Sequence, residues 1–557
     1  MITQVRLAQQ NIEVQCERFD HRAKEAPVRK WESKARVWQL PLTSATAKYI
    51  LKNYATREIC PTAASRMREL LDQVKDTIPF PVWYKYKNTP MDHQKVALDK
   101  MWGEKNFALF MEMGTGKTFT VINWSSAMFI NKDIEALLVV CPTSVKPVWI
   151  GEMETHCPIE HSVHVLESGG SSKCEKWMDE APGFKVMVVG VEALSSGRAF
   201  NSAIDFVVGH KTAMVIDESS RIKTHSATRT KRCIKLGEAC KARAILTGTP
   251  ITQGMQDLYA QFAFLSKEII GQKSYYGFLN RYCSMGGFEG RKIVGYKNIN
   301  EVMDLVAPYT YIVKKDDVLD LPPKVYETIT VKPSKEQARI LKDVGDKFVM
   351  GSSMDGLDLE VETILERMIR YQQIVGGMFP YDEEGGTHGI VPISGPNPKL
   401  EAMADMIKDL DMKSKVIIWA RFVPEQKMIA EYLKSIFGRS VAWYSAGSST
   451  DERKAMINEF QDPESPTRFF LSNPTMGGIG LTLTAASYVI YYSNSFSLED
   501  RLQSEDRAHR KGQTKSVTYI DVMMDHQIDR DIVTAIRNKK SVADYVESSI
   551  LEAQNSH

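Results

Sequence analysis

Short apolar runs alternate with longer mixed stretches from about residue 105 onward. The first series of runs is rich in Val, Ile and Leu, and it covers residues 107–111, 136–140, 186–191, 213–216 and 244–246. Runs this short and this apolar indicate strands that are buried on both faces, as in a parallel sheet. Because helix-like text separates them, the pattern predicts a doubly wound α/β lobe.

A second series of apolar runs predicts a second lobe of the same kind. These runs cover residues 416–419, 441–443, 469–471, 488–492 and 517–522. Residues 266–395, between the two series, do not show this alternation. They contain aromatic and charged segments with a helical pattern, followed by a Gly/Pro-rich segment. We therefore interpret them as helical insertions and a linker. The predicted fold class is α/β, and the predicted domains are an N-terminal accessory domain at 1–82, a first lobe at 83–325, a helical insertion and linker at 326–397, and a second lobe with C-terminal helices at 398–557.

Length and composition narrow the class of protein without identifying a partner. A chain of 557 residues is too long for one core, and 43% hydrophobic with 25% charged residues is typical of a soluble protein. The net charge of +2 neither supports nor excludes nucleic acid. The 8 cysteines form no CxxC pair, which favours free thiols in a reducing compartment. With no signal-peptide pattern and no apolar run of about 18 residues, we expect a cytoplasmic or nucleoid-associated protein without a membrane span.

The octapeptide MEMGTGKT at positions 111–118 has the form of a phosphate-binding turn between a strand and a helix. Gly114 and Gly116 would let backbone N–H groups approach phosphates, and the following helix N-terminus favours negative charge. Lys117 would supply a positive charge for the β- and γ-phosphates, and the Thr118 hydroxyl would bind Mg²⁺. An ordinary glycine turn is the alternative, and the strand–turn–helix context argues against it.

Two carboxylates follow another predicted strand, at Asp217 and Glu218. Carboxylates at the C-terminal end of a strand lie at the ligand crevice of an open α/β sheet. Asp217 would bind Mg²⁺, and Glu218 would polarise the attacking water. A solvated loop is the alternative for an Asp-Glu pair, and the position downstream of the phosphate turn favours the catalytic interpretation.

The segment LQSEDRAHRKGQ in the predicted second lobe carries candidates that could sense phosphoryl transfer. Gln503, Arg507 and Arg510 are spaced i, i+4 and i+7, which predicts that they share one helical face. Arginine can stabilise charge on a transferring phosphoryl group, with effects of about 10³–10⁵ in rate. The alternative is a charged surface helix in which Glu505 and Asp506 are ion-pair partners.

With these segments in view, the sequence resembles the Swi/Snf-like ATPases of helicase superfamily two from about residue 90 to about residue 521. The resemblance preserves the order of the family's motifs. The matching segments are PMDHQ at 90–94, the phosphate turn, LLVVCPTSVKPVW at 137–149, DESSRIKTHSATRT at 217–230, LTGTPITQGMQDLYAQFAFL at 246–265, VLDLPPK at 318–324, KVIIWARF at 415–422, LSNPTMGGIGLTL at 471–483 and QSEDRAHRKGQ at 503–513. Phe496 and Ser497 depart from the family, which commonly shows Trp-Asn there.

The resemblance implies two RecA-like lobes that bind ATP and Mg²⁺ and act as a double-stranded DNA translocase. Gln94 would read adenine, with the other nucleotide-binding residues being Gly114, Thr115, Gly116, Lys117, Thr118 and Gly480. Residues near the DNA backbone would be Thr143, Lys223, Thr475 and Gly477. We expect a monomer that couples ATP hydrolysis at an interlobe cleft to movement on double-stranded or branched DNA, in repair, recombination or replication-fork remodelling.

Other functions remain compatible with the same sequence. One is an RNA or single-strand helicase of the same superfamily, and another is a catalytically silent nucleic-acid-binding scaffold. A separate question concerns residues 21–38, HRAKEAPVRKWESKARVW, where basic residues alternate with Trp31 and Trp38. This stretch either recognises nucleic acid, in a substrate-recognition module, or forms a solvated face with two buried tryptophans.

Overall fold

The structure is a computed structural model of the chain. It describes residues 3–8, 11–16, 21–26, 30–33, 35–42, 44–73, 78–167, 172–287, 292–346, 352–354, 357–359, 364–382, 388–445, 447–478 and 481–555. The chain forms two compact units, the first built from residues 1–314 and 542–557 and the second from residues 315–541. Each unit is organised around one parallel sheet.

The first unit begins with a small antiparallel sheet that has its own apolar core. Its elements are β1 (Gln4–Ala8), β2 (Asn11–Gln15), α1 (His21–Glu25), β3 (Lys30–Glu32), β4 (Val37–Pro41), α2 (Ser44–Asn53) and α3 (Pro61–Gln73). The strands are ordered β1-β2-β4-β3. Val14 and Leu40 of the sheet are buried in one cluster with Ile50 and Met67 of the helices. These residues thus have a sheet and an apolar core of their own, within the first compact unit.

Part of the basic and aromatic stretch at residues 21–38 serves the fold of this accessory domain. Trp38 packs against the apolar cluster and lies 5.2 Å from Trp31, measured between ring centroids. Arg22 donates hydrogen bonds of 3.0 and 3.2 Å to the two carboxylate oxygens of Glu58. Trp31 and Trp38 are half-buried, so the structure departs from the alternative of a solvated face with two buried tryptophans, and whether the stretch recognises nucleic acid stays a prediction.

A parallel sheet with helices between its strands forms most of the first unit. Its elements are α4 (Asp92–Trp102), β5 (Asn106–Met111), α5 (Lys117–Ile130), β6 (Ala136–Cys141), α6 (Lys146–His156), β7 (His161–Leu166), α7 (Ser172–Glu180), β8 (Phe184–Gly190), α8 (Gly197–Gly209), β9 (Thr212–Asp217), α9 (Thr228–Ala239) and β10 (Ala242–Thr247). Every residue of β6 and of β9 is buried, as expected for strands covered on both faces. The predicted strands of the first lobe are therefore confirmed, with ends that differ by one or two residues.

The remainder of the first unit corrects part of the linker prediction. Its elements are α10 (Asp257–Leu265), α11 (Tyr275–Tyr282), β11 (Cys283–Gly286), β12 (Lys292–Tyr296), α12 (Ile299–Val306) and β13 (Thr310–Val313). Strand β13 pairs in parallel with β5, so the sheet order is β13-β5-β10-β9-β6-β8-β7. Residues 310–313 thus belong to the sheet, as the predicted bounds 83–325 of the first lobe have it, and not to the helical insertions expected within 266–395. The buried side chains of Thr310, Ile312 and Val313 complete the edge of this sheet beside β5.

The second unit repeats the α/β pattern around another parallel sheet. Its elements are α13 (Lys315–Val318), β14 (Lys324–Val331), α14 (Lys335–Asp346), β15 (Ser352–Met354), β16 (Leu357–Leu359), α15 (Ile364–Val375), β17 (Met378–Asp382), β18 (His388–Pro392), α16 (Pro398–Asp409), β19 (Lys415–Trp419), α17 (Val423–Phe437), β20 (Val441–Tyr444), α18 (Thr450–Gln461), β21 (Phe469–Ser472), β22 (Ala486–Tyr491), α19 (Leu498–Glu505), β23 (Val517–Met524) and α20 (Gln527–Asn555). The parallel strands run in the order β14-β23-β22-β19-β21-β20, and β15 to β18 form a small antiparallel sheet. Along β19, Ile417 and Trp419 enter one apolar cluster while Val416 and Ile418 enter the other, so both faces are covered. The predicted strands of the second lobe are confirmed.

Two segments lie in different units from those that the sequence predicts. Residues 326–331, predicted as part of the linker, are the end of β14, which pairs with β23 in the second sheet. Residues 542–557, which include the C-terminal part of α20 and were predicted with the second lobe, belong to the first unit, so α20 begins in the second unit and ends in the first. There the Gln554 side chain donates a 3.1 Å hydrogen bond to the carbonyl of Ala307. In both cases pairing with distant residues decides the placement.

Two expectations from composition concern cysteines and membrane spans. The eight cysteines are free thiols, and all but the half-buried Cys60 are buried. Across the described ranges, no helix combines the length and apolar character that crossing a bilayer requires.

Candidate nucleotide-binding site

The phosphate turn between β5 and α5 has the backbone geometry that the sequence predicts. Gly114 and Gly116 adopt left-handed conformations with φ of +83° and +88°. A Cβ atom at Gly116 would also lie 1.9 Å from the side-chain nitrogen of Gln94. Both positions therefore require glycine, and the turn leads directly into the N-terminus of α5, where backbone N–H groups can bind an anion.

Lys117 holds its ammonium group against the backbone of the same turn. Its Nζ donates hydrogen bonds of 2.8 Å to the carbonyl of Met111 and 3.4 Å to the carbonyl of Glu112. The side chain is buried, and the following Thr118 is half-buried at the start of α5. The charge is thus fixed beside the turn rather than free in solvent, which is the arrangement that a phosphate-binding lysine requires.

Asp217 at the end of β9 faces the lysine and is bonded on both carboxylate oxygens. Its Oδ2 accepts a 2.9 Å hydrogen bond from the indole N–H of Trp149, and its Oδ1 accepts a 3.0 Å bond from the backbone N–H of Glu218. Burial raises the pKa of the Asp217 carboxyl above its ordinary range, and the Lys117 ammonium acts in the opposite direction. A buried carboxylate beside a phosphate turn has the chemistry of a Mg²⁺ ligand.

Glu218 lies in a strained backbone position next to Asp217. Its φ is +52°, in the left-handed region that non-glycine residues rarely adopt. Thr247, which ends the neighbouring strand β10, donates a 3.4 Å hydrogen bond from its hydroxyl to Glu218 Oε2. Backbone outliers of this kind cluster at functional sites.

Gln94 and His93 of α4 contact the phosphate turn directly. The Gln94 side-chain amide donates to the carbonyl of Thr115 at 3.2 Å and accepts from the backbone N–H of Met91 at 2.9 Å. A ring nitrogen of His93 lies 2.7 Å from the same Thr115 carbonyl. The structure thus places Gln94 against Thr115 and Gly116 of the phosphate turn, and Asp217 close enough to Lys117 to feel its charge.

Trp149 is a site residue whose role sequence reasoning missed. It is fully buried on α6, and its indole N–H is the side-chain donor to Asp217 described above. The sequence offered a weak signal, because this tryptophan ends the segment LLVVCPTSVKPVW that resembles a family motif. Only the packing of α6 against the sheet shows that its nitrogen reaches the carboxylate 68 residues later.

Replacing Trp149 by phenylalanine should raise the Mg²⁺ concentration needed for half-maximal ATP hydrolysis by about tenfold, because a carboxylate that loses its orienting donor binds metal less well. Phenylalanine keeps most of the buried volume, so the melting temperature should change little by comparison. Titration of Mg²⁺ at saturating ATP measures the effect. An unchanged Mg²⁺ dependence would contradict the orienting role.

The first unit places two of the residues predicted near DNA at one edge of its sheet. Thr143 follows β6, and Lys223 follows β9, which is the neighbouring strand. The exposed Thr143 hydroxyl donates a 2.9 Å hydrogen bond to Glu192, and the Lys223 ammonium donates to the hydroxyl of Thr252. Because the carboxyl ends of parallel strands meet at one edge, both lie on the same side of the sheet as the phosphate turn.

The second unit brings Arg507 and Arg510 to a shared backbone carbonyl. The guanidinium groups donate to Leu481 O at 3.4 and 3.2 Å. Arg507 is fully buried, whereas Arg510 is half-buried. Gln503 is buried on α19, with its amide 3.5 Å from Glu499.

The prediction that Gln503, Arg507 and Arg510 share one helical face is wrong. Helix α19 ends at Glu505, and a turn follows it. The chain leaves the helix because tertiary contacts bind its next residues: the Arg507 carbonyl accepts from Leu483 N–H at 2.9 Å, and Ala508 is buried in the core. Arg507 and Arg510 converge through this turn and not through helical periodicity.

Thr475 and Gly477 lie in a short 3₁₀ turn, Pro474–Gly478, that follows β21. The Thr475 backbone N–H donates a 2.9 Å hydrogen bond to Asn473, and its side chain is exposed. Thr475 lines a cavity of about 420 Å³, and the other lining residues include Arg421, Asn473 and Phe496. Gly480, predicted to contact the nucleotide, lies outside the described residues.

The glycine turn, buried lysine and strand-end carboxylate at one edge of a parallel sheet define a protein of the P-loop nucleotide-binding class. The sequence matches the SNF2-related domain over residues 87–376, and it matches the helicase conserved C-terminal domain over residues 398–512. Because the first match covers more than half of the chain, the protein belongs to the SNF2-related family.

Individual proteins that resemble this chain share about a quarter of its residues or fewer, over most of its length. The Bacillus subtilis (strain 168) protein YwqA is 26% identical over 83% of this chain and 49% of its own length. The ISWI chromatin-remodeling complex ATPase CHR17 of Arabidopsis thaliana is 24% identical over 77% of this chain and 39% of its own. The solved structure of the Sulfolobus solfataricus SWI2/SNF2 ATPase core in complex with dsDNA is 21% identical over 85% of this chain and 98% of that one, with a TM-score of 0.38. The chain spans about half or less of the length of these curated relatives.

Proposed function

We propose that this chain hydrolyses ATP and uses the free energy to move along double-stranded DNA. The observation that carries the proposal is the placement of Lys117 and Asp217 beside a two-glycine phosphate turn, in a chain that belongs to the SNF2-related family. CHR17 is named as the ATPase of a chromatin-remodeling complex, which supports an ATP-driven activity on DNA for this chain as well.

The residues at the phosphate turn of the first unit have the chemical groups that bind ATP and Mg²⁺, and they lie at the same edge of the sheet. Two left-handed glycines leave backbone N–H groups accessible to phosphates, and Lys117 supplies a fixed positive charge. Thr118 and Asp217 would bind Mg²⁺, and Glu218 would orient the attacking water. Gln94 would contact adenine while it holds the Thr115 carbonyl of the turn. When bound, ATP supplies the phosphoanhydride bond whose hydrolysis drives the motor.

The arginines of the second unit are proposed to stabilise the transition state. Arg507 and Arg510 hold two guanidinium groups around one carbonyl, which concentrates positive charge in a small region. Gln503 precedes them on α19 and would help to position the nucleotide phosphates. Guanidinium groups suit developing phosphoryl charge because their donors are planar and fixed.

Duplex DNA is the proposed partner, with branched DNA as a further substrate in repair, recombination or fork remodelling. Thr143 and Lys223 of the first unit and Thr475 and Gly477 of the second would contact the phosphate backbone. Each lies just after the carboxyl end of a strand in its own unit. Contacts of this kind position the protein without reading sequence, as a translocase requires.

A panel of ATP hydrolysis rates tests the proposal. The purified protein is assayed with no nucleic acid, blunt duplex DNA, forked DNA, single-stranded DNA and RNA at equal nucleotide concentration. Blunt duplex DNA should raise turnover at least about tenfold, with the stimulation falling as salt increases because phosphate contacts release counterions. Stimulation by RNA or single-stranded DNA alone would replace this proposal by a helicase acting on those strands. A lack of turnover with every ligand would indicate a silent scaffold.

A further inference from the structure

We propose that the rings of His225, Tyr275 and Tyr276 bind an unpaired base of DNA beside Lys223. We call these three rings the aromatic platform. The inference rests on the proposed function, since it assumes that Lys223 lies near DNA, and it adds a preference for DNA in which a base has left the duplex stack.

In the aromatic platform, two rings stack on each other and the third ring is exposed to solvent. His225 and Tyr275 lie parallel, with ring centroids 3.8 Å apart and an interplanar angle of 16°. Tyr276 stands nearly perpendicular to His225, at 6.2 Å and 79°, and is 71% exposed. Because His225 and Tyr275 already stack on each other, the exposed ring of Tyr276 is the surface of the platform that a planar base can reach.

Buried residues hold the aromatic platform in place from behind. Tyr259 of α10 packs edge-on against Tyr275 at 5.5 Å, and it also contacts Phe278 at 5.6 Å. Phe278 is fully buried, three positions after Tyr275 and two after Tyr276, so α11 is anchored to the core beside these rings. A ring that is already ordered loses little conformational entropy on binding, which favours a binding role for the aromatic platform.

The aromatic platform sits next to the residue proposed to contact phosphate. His225 follows Lys223 by two positions, and the Lys223 ammonium donates a hydrogen bond to Thr252, midway along the loop between β10 and α10. Burial and the nearby Lys231 lower the pKa of the His225 ring below its ordinary value. The imidazole is therefore neutral at physiological pH, and a neutral flat ring stacks on a base without a charge to desolvate.

The two chain segments that carry the aromatic platform are basic in sequence, although the Asp257 carboxylate acts on Tyr275 and Arg281 is ion-paired with Glu301. No acidic residue occurs from position 219 to 237 or from 269 to 287. The first of these segments holds six basic residues, and the second holds two: Arg221, Lys223, Arg229, Lys231, Arg232 and Lys235, then Lys273 and Arg281. A duplex hides the faces of its bases, so the rings can stack only where a base pair has opened, as at a fork or a single-strand tail.

The test compares binding to forked DNA and to blunt duplex DNA of equal length, without ATP, for the full chain and its Tyr276→Ala variant. Base stacking contributes about 1–3 kcal/mol, so the ratio of fork to duplex affinity should fall at least about fivefold. Tyr276→Phe keeps the ring and should retain the wild-type ratio. Tyr545→Ala removes another exposed tyrosine of the same unit and should leave the ratio unchanged.

Several outcomes would overturn the proposal that the aromatic platform binds an unpaired base. They are an unchanged ratio in Tyr276→Ala, an equal loss in Tyr276→Phe that assigns the effect to the hydroxyl, and tighter wild-type binding to a fork whose tails are RNA. A fork carrying 2-aminopurine at the unpaired position adds a direct readout, since stacking should quench its fluorescence in the wild type and less so in Tyr276→Ala. Because these measurements need no hydrolysis, failure of the motor proposal would appear separately, as absent stimulation by blunt duplex.

Discussion

Replacing Lys117 by alanine should reduce DNA-stimulated ATP turnover by about 10²-fold or more. The ammonium group is held over the phosphate turn by the carbonyls of Met111 and Glu112, so its charge is positioned before any ligand arrives. Loss of a preorganised group that stabilises developing charge costs about 10²–10³ in rate. Phosphate release measured at saturating duplex DNA and ATP gives the effect.

The matched control for this change is Lys176→Ala. Lys176 is an exposed lysine on α7 of the same unit that pairs with Glu180 across one helical turn, and its loss should leave turnover unchanged. A melting curve separates lost catalysis from lost folding, since the two carbonyls that Lys117 binds would need new donors. Turnover near the wild-type rate in a folded Lys117→Ala protein would reject the assigned nucleotide site.

Replacing Arg510 by alanine should cut turnover about 10²-fold while ATP affinity stays within a few fold. A transition-state contact lowers the rate without weakening ground-state binding to the same degree. Arg510 is a cleaner test than Arg507, because Arg507 is fully buried and its removal would also leave a void in the core of the second unit. Turnover and nucleotide binding are measured on the same preparation.

Arg530→Ala provides a control for the loss of an arginine in the second unit. Arg530 forms an exposed ion pair with Asp525, which contributes little to stability, and its removal should change neither turnover nor affinity. An equal loss of binding and turnover in Arg510→Ala would indicate a ground-state role. A full rate in that variant would remove Arg510 from the proposed mechanism.

Patterns of neighbouring residues predicted much of the fold and the backbone geometry of the phosphate turn. The apolar runs of β6 and β9 indicated buried parallel strands, and the structure confirms both to within one residue of the predicted ends. The phosphate turn was equally visible, because its glycines, lysine and flanking strand and helix occur within a few positions. The strand-end placement of Asp217 followed from the same logic. These features depend on residues that are close together in the sequence, so sequence patterns predict them directly.

Features that depend on contact between distant residues were predicted poorly or not at all. Helical periodicity placed Arg507 on the helix of Gln503, but α19 ends at Glu505 because the turn after it is bound to the core. No pattern showed that Trp149 donates to Asp217 or that His225 stacks on Tyr275, fifty positions later.

The sequence by itself determined that the chain has two α/β lobes, where the phosphates would be cradled and which family the chain resembles. Strand burial and glycine conformation depend on each residue and its near neighbours, so they are readable along the chain. Tertiary structure alone decided that β13 and β14 join different sheets, that residues 542–557 belong to the first unit, and which aromatic rings meet. Those outcomes depend on which of many apolar surfaces pack best together. Because that packing involves residues far apart in the sequence, no single segment predicts it.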